Sequence, residues 1–252
     1  MIKIIMHGCN GRMGQVISEI VNEEDNCTIV AGIDPDVTKS NPYPVFSKID
    51  DCDIKGDVII DFSTASAVKP LLDYAVRMQT PVVICTTGLS DDDLELLKKS
   101  SEKIPVFFSA NMSLGVNLLM NLVKRASEVL ANANFDIEII EKHHNQKIDA
   151  PSGTALALAN AINETLDNRY EYKYDRHQER KQRDKKEIGI HAVRGGTIVG
   201  EHSVIFAGRD EIIELKHSCM SREVFATGAI KAAKFLVGKN PGLFNMENLI
   251  NE

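Results

Sequence analysis

The chain has 252 residues, 43% of them hydrophobic, with a formal net charge of −7 and a pI near 5.6. This length accommodates one large or two modest domains, and the acidic charge argues against nucleic acid or an anionic membrane as the main partner. No apolar run is long enough for a membrane span or a signal peptide. The five cysteines are scattered without a C-x-x-C pair, which predicts reduced thiols, a cytoplasmic location and no metal site.

The first element is a short apolar strand, residues 2–6, that enters the turn H-G-C-N-G-R-M-G ahead of a helical pattern. Its glycines read G-x-x-G-x-x-G rather than G-x-G-x-x-G, so the turn alone is a weak signal. A second strand, residues 28–33, ends at Asp34, where an acid can bind the adenosine ribose hydroxyls and repel a 2′-phosphate. The alternative is a surface aspartate that follows a strand. We predict cofactor contacts from one turn and this acid: Gly8, Cys9, Asn10, Gly11, Arg12, Met13 and Asp34.

Two further apolar strands, residues 57–62 and 81–84, alternate with helical segments at 65–78 and 91–101. This alternation predicts a Rossmann-like, doubly wound parallel sheet in an α/β domain. Ligands of such sheets bind beyond the carboxyl ends of the strands. We therefore expect two more cofactor-binding segments: Cys85, Thr86 and Thr87, and Ser109, Ala110, Asn111 and Met112.

The densest chemical pattern is I-I-E-K-H-H-N-Q-K-I-D-A-P-S-G-T-A at residues 139–155. A predicted strand ends near the adjacent His143 and His144, Lys147 follows, and the P-S-G-T turn opens an Ala/Leu-rich helix. A helix N-terminus binds anions, Lys147 adds a cation, and imidazoles deliver protons at neutral pH. The pattern predicts a pocket that binds an anion and protonates it. The alternative is that the imidazoles serve the structure and Lys147 is solvated.

The remaining segments predict a second, α+β domain with an open mixed sheet. A long helix at 114–130 leads into it, and a final helix at 223–237 follows it. The basic stretch at 170–187 indicates a solvated loop, or alternatively a mobile flap whose charge draws a dianionic substrate. Three β-rich segments are expected to pair as an antiparallel sheet: residues 188–193, 198–206 and 211–217.

The motif H-H-x-x-K-x-D-A-P-S-G-T-A resembles the signature of the dihydrodipicolinate reductase family, and the resemblance extends from Ile2 to Phe244. It implies a discontinuous dinucleotide-binding domain, residues 1–113 and 223–252, and a domain for substrate binding and oligomerisation, residues 114–222. It further implies a homotetramer. The implied reaction is the NAD(P)H-dependent reduction of 4-hydroxy-tetrahydrodipicolinate, a cyclic imine dicarboxylate, with loss of water, in the diaminopimelate route to lysine.

Chemistry and resemblance together assign roles around this dicarboxylate. Five residues are expected to bind it: His144, Ser152, Gly153, Thr154 and Arg222. Lys147 and the helix N–H groups would hold one carboxylate, and Arg222 matches the family's second carboxylate contact, although a surface arginine at a helix start is the alternative. The catalytic proton comes from His143 or Lys147, and the sequence does not decide between them.

Two departures from the family bear on the cofactor. Cys85 stands where the family usually has glycine, so its side chain either crowds the cofactor or points away. Asp34 favours NADH, and Pro35 follows it where some members carry arginine, so we expect a preference for NADH with NADPH also accepted. Arg12 and Lys39 are the candidates for meeting the 2′-phosphate of NADPH.

Two other functions compete with this interpretation. A two-domain semialdehyde dehydrogenase needs a cysteine nucleophile, and a short-chain dehydrogenase needs a Y-x-x-x-K pair, which the chain lacks. A non-catalytic NAD-sensing regulator on the same fold would have lost its proton donors, whereas the imidazole pair, Lys147 and the P-S-G-T turn are all present.

Overall fold

A computed structural model describes residues 1–252, which form two compact units. The first unit is Met1–Leu114 with Glu223–Glu252, and the second is Gly115–Arg222. The strands are β1 Ile2–His7, β2 Cys27–Ile33, β3 Val45–Phe46, β4 Val58–Asp61, β5 Val82–Ile84, β6 Pro105–Phe108, β7 Asp136–His143, β8 Glu171–Lys173, β9 Glu187–Arg194, β10 Gly200–Ala207, β11 Ile212–Cys219 and β12 Gly242–Phe244. The helices are α1 Arg12–Asn22, α2 Ala65–Met78, α3 Asp91–Ser101, α4 Leu114–Leu130, α5 Gly153–Thr165, α6 Glu223–Leu236 and α7 Met246–Ile250.

The first unit is built on a seven-stranded sheet in the order β12-β6-β5-β4-β1-β2-β3. Every neighbouring pair is parallel. Successive residues of a strand face opposite sides of a sheet, and both sides of β1 are buried: Ile4 packs in one apolar core with α1 and α6, and Ile5 packs in the other with α2 and α3. The predicted doubly wound, Rossmann-like sheet is confirmed.

The second unit contains a five-stranded sheet in the order β11-β10-β7-β9-β8. β10 is antiparallel to both β11 and β7, whereas β7, β9 and β8 run parallel to one another. The mixed sheet is confirmed, but the antiparallel pairing predicted for residues 188–193 is wrong. β7 takes the central place because its inward residues Ile137 and Ile139 are fully buried in the core that α5 covers, so β9 and β10 flank it instead of pairing.

In the basic segment that follows α5, Arg183 contacts the sheet, whereas Arg180, Lys181, Lys185 and Lys186 are exposed. Arg183 donates hydrogen bonds to Glu138 at 2.9 Å, to Asp136 at 3.0 Å and to the carbonyl of Ile137 at 3.0 Å. Gly189 lies opposite Glu138 in β9, and a Cβ there would come within 1.6 Å of the Glu138 carboxylate. The exposed residues agree with the predicted solvated loop, and Arg183 is not available to attract a substrate because it forms ion pairs within the second unit.

No helix of the chain combines the length and the apolar character that crossing a lipid bilayer requires.

Candidate active site

The glycine turn after β1 is packed so closely that α1 touches its backbone. Gly8 has φ +81°, a conformation that favours glycine. A Cβ on Gly14 would lie 2.2 Å from the carbonyl oxygen of Gly8. Gly11 caps α1 without a side chain, so the first N–H groups of the helix, at Arg12 and Met13, point to an open end. Such an end binds the pyrophosphate of a dinucleotide.

Asp34 lies where β2 ends, beside a cavity of about 520 Å³. Its carboxylate accepts the N–H of Asn10 at 3.0 Å and that of Asp36 at 2.9 Å, which fixes its orientation. Of the predicted cofactor residues, Gly8, Gly11 and Asp34 line this cavity. Its size suits the nucleoside part of a dinucleotide, and each carboxylate oxygen keeps acceptor capacity for a ribose hydroxyl. The residues present therefore fit the cofactor.

Neither of the two cations that sequence reasoning offered for the 2′-phosphate lines this cavity. Arg12 is exposed at the start of α1, and Lys39 donates to the carbonyl of Asn10 at 2.7 Å. The exposed Lys48, which sequence reasoning missed, lines the cavity together with Asp34. It lies between β3 and β4, a stretch whose pattern gave no firm prediction.

Several predicted cofactor residues are turned into the core. The side chains of Cys9, Cys85 and Met112 are buried, so only their backbone can meet a cofactor. Burial, reinforced by the negative charge of Asp61, raises the pKa of the Cys85 thiol well above its usual value. Cys85 thus points away from the cofactor side, and its raised pKa argues against a thiol nucleophile.

A buried carboxylate joins the carboxyl ends of β1, β4 and β5. Asp61 has no exposed surface, and its Oδ1 lies 2.6 Å from Nδ1 of His7. Ser63 and Thr86 each donate a hydroxyl hydrogen bond to it at 2.6 Å. The side chain of Thr86 therefore holds the loop in place, and its prediction as a cofactor contact applies to its backbone alone. His7, which sequence reasoning missed, also lines the nucleotide cavity.

The predicted imidazole strand ends in a buried ion network. β7 alternates half-buried and buried residues, which places Glu141 and His143 on the same buried face as Ile139. Glu141 is fully buried, and its carboxylate lies 2.6 Å from Nδ1 of His143. Nη1 and Nη2 of Arg194 each donate to one of its oxygens at 2.7 Å, and the N–H of Ser152 donates at 2.9 Å. Burial alone would raise the pKa of Glu141, but these hydrogen bonds hold it below its usual value.

Arg194 reaches this carboxylate because β9 pairs in parallel with β7, with Arg194 directly opposite His143. The same guanidinium donates to the backbone carbonyl of Asp149 at 2.6 Å. It therefore ties the end of β7 to the loop that carries Lys147. Arg194 lies just beyond the strand predicted at residues 188–193, and no sequence pattern indicated this role.

A second buried imidazole lies beside His143. The rings of His143 and His202 meet edge to face with centroids 5.1 Å apart, and Nε2 of His202 is 2.9 Å from Oγ of Ser152. Burial, followed by the proximity of His143, lowers the pKa of His202 to about 4. His202 is thus a neutral neighbour at physiological pH.

Lys147 lies at the N-terminus of α5 together with a carboxylate that sequence reasoning did not single out. Its Nζ is 2.8 Å from Oδ1 of Asp149. The Lys147 ammonium, aided by the backbone N–H groups of Asp149 and Gly153, lowers the pKa of that carboxyl. An anion that reaches Lys147 therefore meets Asp149 there. Nothing lies within 4 Å of a Cβ built on Gly153, so no side chain crowds the start of α5 next to Asp149.

Ser152 does not bind a substrate through its N–H, because that group donates to Glu141. Its hydroxyl accepts the N–H of Ala155 at 3.2 Å, so Ser152 caps α5. The predicted substrate contact at Ser152 would therefore require one of these hydrogen bonds to be exchanged. Gly153 and Thr154 follow directly in the first turn of α5.

The structure brings His144 and Arg222 together around a polar cavity of about 320 Å³, which Thr197 also lines. Nδ1 of His144 is buried without a hydrogen-bond partner. A guanidinium and an imidazole that line one cavity suit a carboxylate. His143, Lys147 and Gly153 do not line this cavity, so they form a separate group at the end of β7 and the start of α5.

These features define a class of protein. The first unit has a parallel sheet with a glycine turn and an acid at a strand end, and the second carries an imidazole and an ammonium. This combination is typical of oxidoreductases that use a nicotinamide dinucleotide. Comparison narrows the class. Residues 2–112 match the family model of the dihydrodipicolinate reductase N-terminus, and residues 115–250 match that of its C-terminus. The chain belongs to the dihydrodipicolinate reductase family.

Curated relatives agree over the full length. A protein from Caldanaerobacter subterraneus subsp. tengcongensis, named 4-hydroxy-tetrahydrodipicolinate reductase, is 53% identical over 100% of this chain and 99% of its own. A protein of the same name from Clostridium novyi is 52% identical over 99% and 98% of the two chains.

Solved structures share the architecture. A dipicolinate-bound dihydrodipicolinate reductase from Paenisporosarcina sp. TG-14 matches with a TM-score of 0.84 and 28% identity, over 98% of this chain and 99% of that one. A myo-inositol dehydrogenase from Corynebacterium glutamicum matches with a TM-score of 0.55 and 14% identity, over 100% and 93% of the two chains, and shares the fold alone.

The low pKa of His202 predicts a pH dependence of stability. Between pH 6.5 and 4 the unfolded chain binds a proton at residue 202 that the folded protein does not bind. The free energy of unfolding should therefore fall as the pH decreases through this window, by up to about 1.4 kcal/mol per pH unit from this residue. His202→Gln should make the fall shallower in urea unfolding. The exposed His177, changed to Gln, serves as the control and should keep the wild-type slope; equal slopes in all three proteins would contradict the assignment.

Proposed function

We propose that this protein reduces 4-hydroxy-tetrahydrodipicolinate to tetrahydrodipicolinate, with loss of water, in the diaminopimelate route to lysine. The observation that carries the proposal is the loop from His143 to Gly153, which holds a buried imidazole, an ammonium and the start of a helix within eleven residues. A cyclic imine dicarboxylate needs each of them: a proton for the ring and positive groups for its carboxylates.

Different residues of the second unit would bind the two carboxylates of the substrate. The nicotinamide dinucleotide, when bound, supplies the hydride. Lys147 and the first N–H groups of α5, at Gly153 and Thr154, would hold one carboxylate in place of Asp149, whose carboxyl interacts with Lys147 and with the N–H of Gly153 in the structure. Arg222 and His144, which line one cavity, would hold the other. Lys147 would exchange its contact with Asp149 for the substrate or share it.

The proton that the reduced ring requires would come from His143 or Lys147. His143 is held by Glu141 through Nδ1, which leaves Nε2 as the atom to donate from. Lys147 carries three donor hydrogens and keeps a side-chain exposure of 23%. Both residues therefore remain candidates, and the carboxylate-binding role belongs to Lys147 in either case.

Lys147→Ala should lower kcat by about 100-fold or more, because the variant loses a cation at the substrate and one candidate proton donor. Cofactor affinity should stay unchanged, because Lys147 lies in the second unit. Loss of absorbance at 340 nm, with NADH and freshly condensed pyruvate and aspartate semialdehyde, measures turnover, and NADH fluorescence measures cofactor binding. A wild-type protein that leaves the absorbance unchanged would refute the proposed reaction. A variant that binds NADH poorly yet turns over well would refute the role of Lys147.

We propose that NADH is preferred and that NADPH is also accepted. Support comes from Asp34, whose fixed carboxylate lines the nucleotide cavity and would accept ribose hydroxyls while repelling a 2′-phosphate. Lys48 lines the same cavity, so we propose it, instead of Arg12 or Lys39, as the cation that meets the 2′-phosphate.

Lys48→Ala should raise KM for NADPH by about tenfold, because a charge-assisted hydrogen bond to phosphate is worth about 1.5 kcal/mol or more. KM for NADH should change by less than about twofold, since NADH has no 2′-phosphate. Lys39→Ala, which removes a lysine outside the cavity, is the matched control and should affect the two cofactors alike. A wild-type KM that is lower for NADPH, or a Lys48→Ala variant that loses both cofactors equally, would count against this assignment.

We further propose that the protein works in the cytoplasm as a homotetramer. All five cysteines are unpaired, which suits a reducing compartment. The edge strand β11 exposes Ile212 at 69%, and Met220 just beyond it is 85% exposed, so a partner sheet would bury apolar surface there. Sedimentation equilibrium gives the mass of the assembly, and a monomer would remove this part of the proposal.

A further inference from the structure

We propose that Glu141 and Arg194 are positioning residues for the reduction, and that they set which nitrogen of His143 faces the substrate. Neither residue is expected to touch the substrate or the cofactor. The inference rests on the proposed function, since it assigns a task to the imidazole that the reduction uses.

The carboxylate selects the orientation and the tautomer of His143. An ionised carboxylate only accepts hydrogen bonds, so Nδ1 of His143, at 2.6 Å from it, must carry a hydrogen. Nε2 is then the nitrogen that loses or gains the catalytic proton. A Cβ on Gly200 would lie 3.1 Å from this Nε2, so the glycine keeps its approach clear of a side chain.

Arg194 keeps the carboxyl group of Glu141 in its ionised form. Each oxygen of Glu141 receives one hydrogen bond from the guanidinium and one from a second donor, either His143 or the N–H of Ser152. The bidentate pairing keeps Glu141 ionised although it is fully buried. His202, the other buried imidazole beside this pair, has a lowered pKa and stays neutral at physiological pH.

The same two residues connect the imidazole with the ammonium. Arg194 also donates to the carbonyl of Asp149, whose side chain contacts Lys147, and Glu141 accepts the N–H at the N-cap of α5. Strand end, loop and helix start therefore share one ionic centre. Displacing that centre would change the separation of His143 and Lys147 as well as the ring orientation.

Glu141→Gln tests the assignment, because a glutamine amide has only one oxygen. In either orientation of the amide, its NH₂ group replaces an oxygen that accepts hydrogen bonds from Arg194 and from either His143 or the N–H of Ser152. Those two hydrogen bonds are then lost. We expect kcat to fall by about 100-fold, with KM for NADH unchanged. Glu138→Gln is the matched control: Glu138 lies on the same strand and likewise pairs with an arginine, Arg183, and a histidine, His191, but it has no contact with His143. We expect this variant to keep kcat within about twofold.

A spectroscopic readout separates positioning from mere support of the fold. A hydrogen on Nδ1 bonded to a carboxylate gives a far-downfield imidazole proton resonance. His7, beside Asp61, should give one such resonance in every variant, and the resonance that is present in the wild type but absent in His143→Gln belongs to His143. It should also be lost or shifted upfield in Glu141→Gln and retained in Glu138→Gln. If Glu141→Gln fails to fold, Arg194→Lys keeps the charge with a single donor centre, and we expect a partial loss of kcat with the resonance weakened.

The proposal is overturned if the wild type lacks the resonance, if Glu141→Gln or a folded Arg194→Lys retains full kcat, or if the Glu138 and Glu141 variants lose activity equally. A wild type that shows the resonance but does not reduce the substrate would refute the proposed reaction while leaving the imidazole geometry intact. The two failures are thus distinguishable.

Discussion

A carboxylate without any exposed surface lies near the end of β7, the central strand of the second sheet, and its partners determine the geometry of the active-site loop. Glu141 accepts two hydrogen bonds from Arg194, one from the N–H of Ser152, and contacts His143 at 2.6 Å. Removing one partner from a buried ion pair typically costs about 3–5 kcal/mol, because the other charge is left uncompensated. The hydrogen bonds of Glu141 are therefore expected to form cooperatively. Together they hold His143, the loop that carries Lys147 and the start of α5 in one arrangement.

The unexpected strand order of the second sheet serves this network. Because β9 lies parallel to β7 in register, Arg194 falls opposite His143, and because β10 lies on the other side, His202 falls opposite Glu141. An antiparallel pairing of β9 with β10 would have taken Arg194 away from the Glu141 carboxylate. The first unit uses the same device with different residues, since buried Asp61 joins three strand ends beside the nucleotide cavity.

Local patterns predicted the parts of the site that depend on local chemistry. The sequence was enough to predict three features: the glycine turn, Asp34 and the motif around His143. Each of them requires particular residue types at a fixed spacing. Long-range partners were missed: Arg194 reaches Glu141 across 53 positions of the chain, and no spacing rule reveals that. One local signal was available. The alternation of β7 puts Glu141 on its apolar face, and a carboxylate there requires donors. Cys85 could not be oriented from sequence, because packing alone decides which side of the turn it faces.

A double-mutant cycle on kcat tests most directly whether Glu141 acts through His143. The cycle compares Glu141→Gln, His143→Gln and the double variant under saturating substrate and cofactor. If the carboxylate works by holding the imidazole, the double variant should be no slower than the slower single variant, since the second change removes a group that is already without function. Losses that multiply would contradict the account, because they would show that Glu141 and His143 contribute independently.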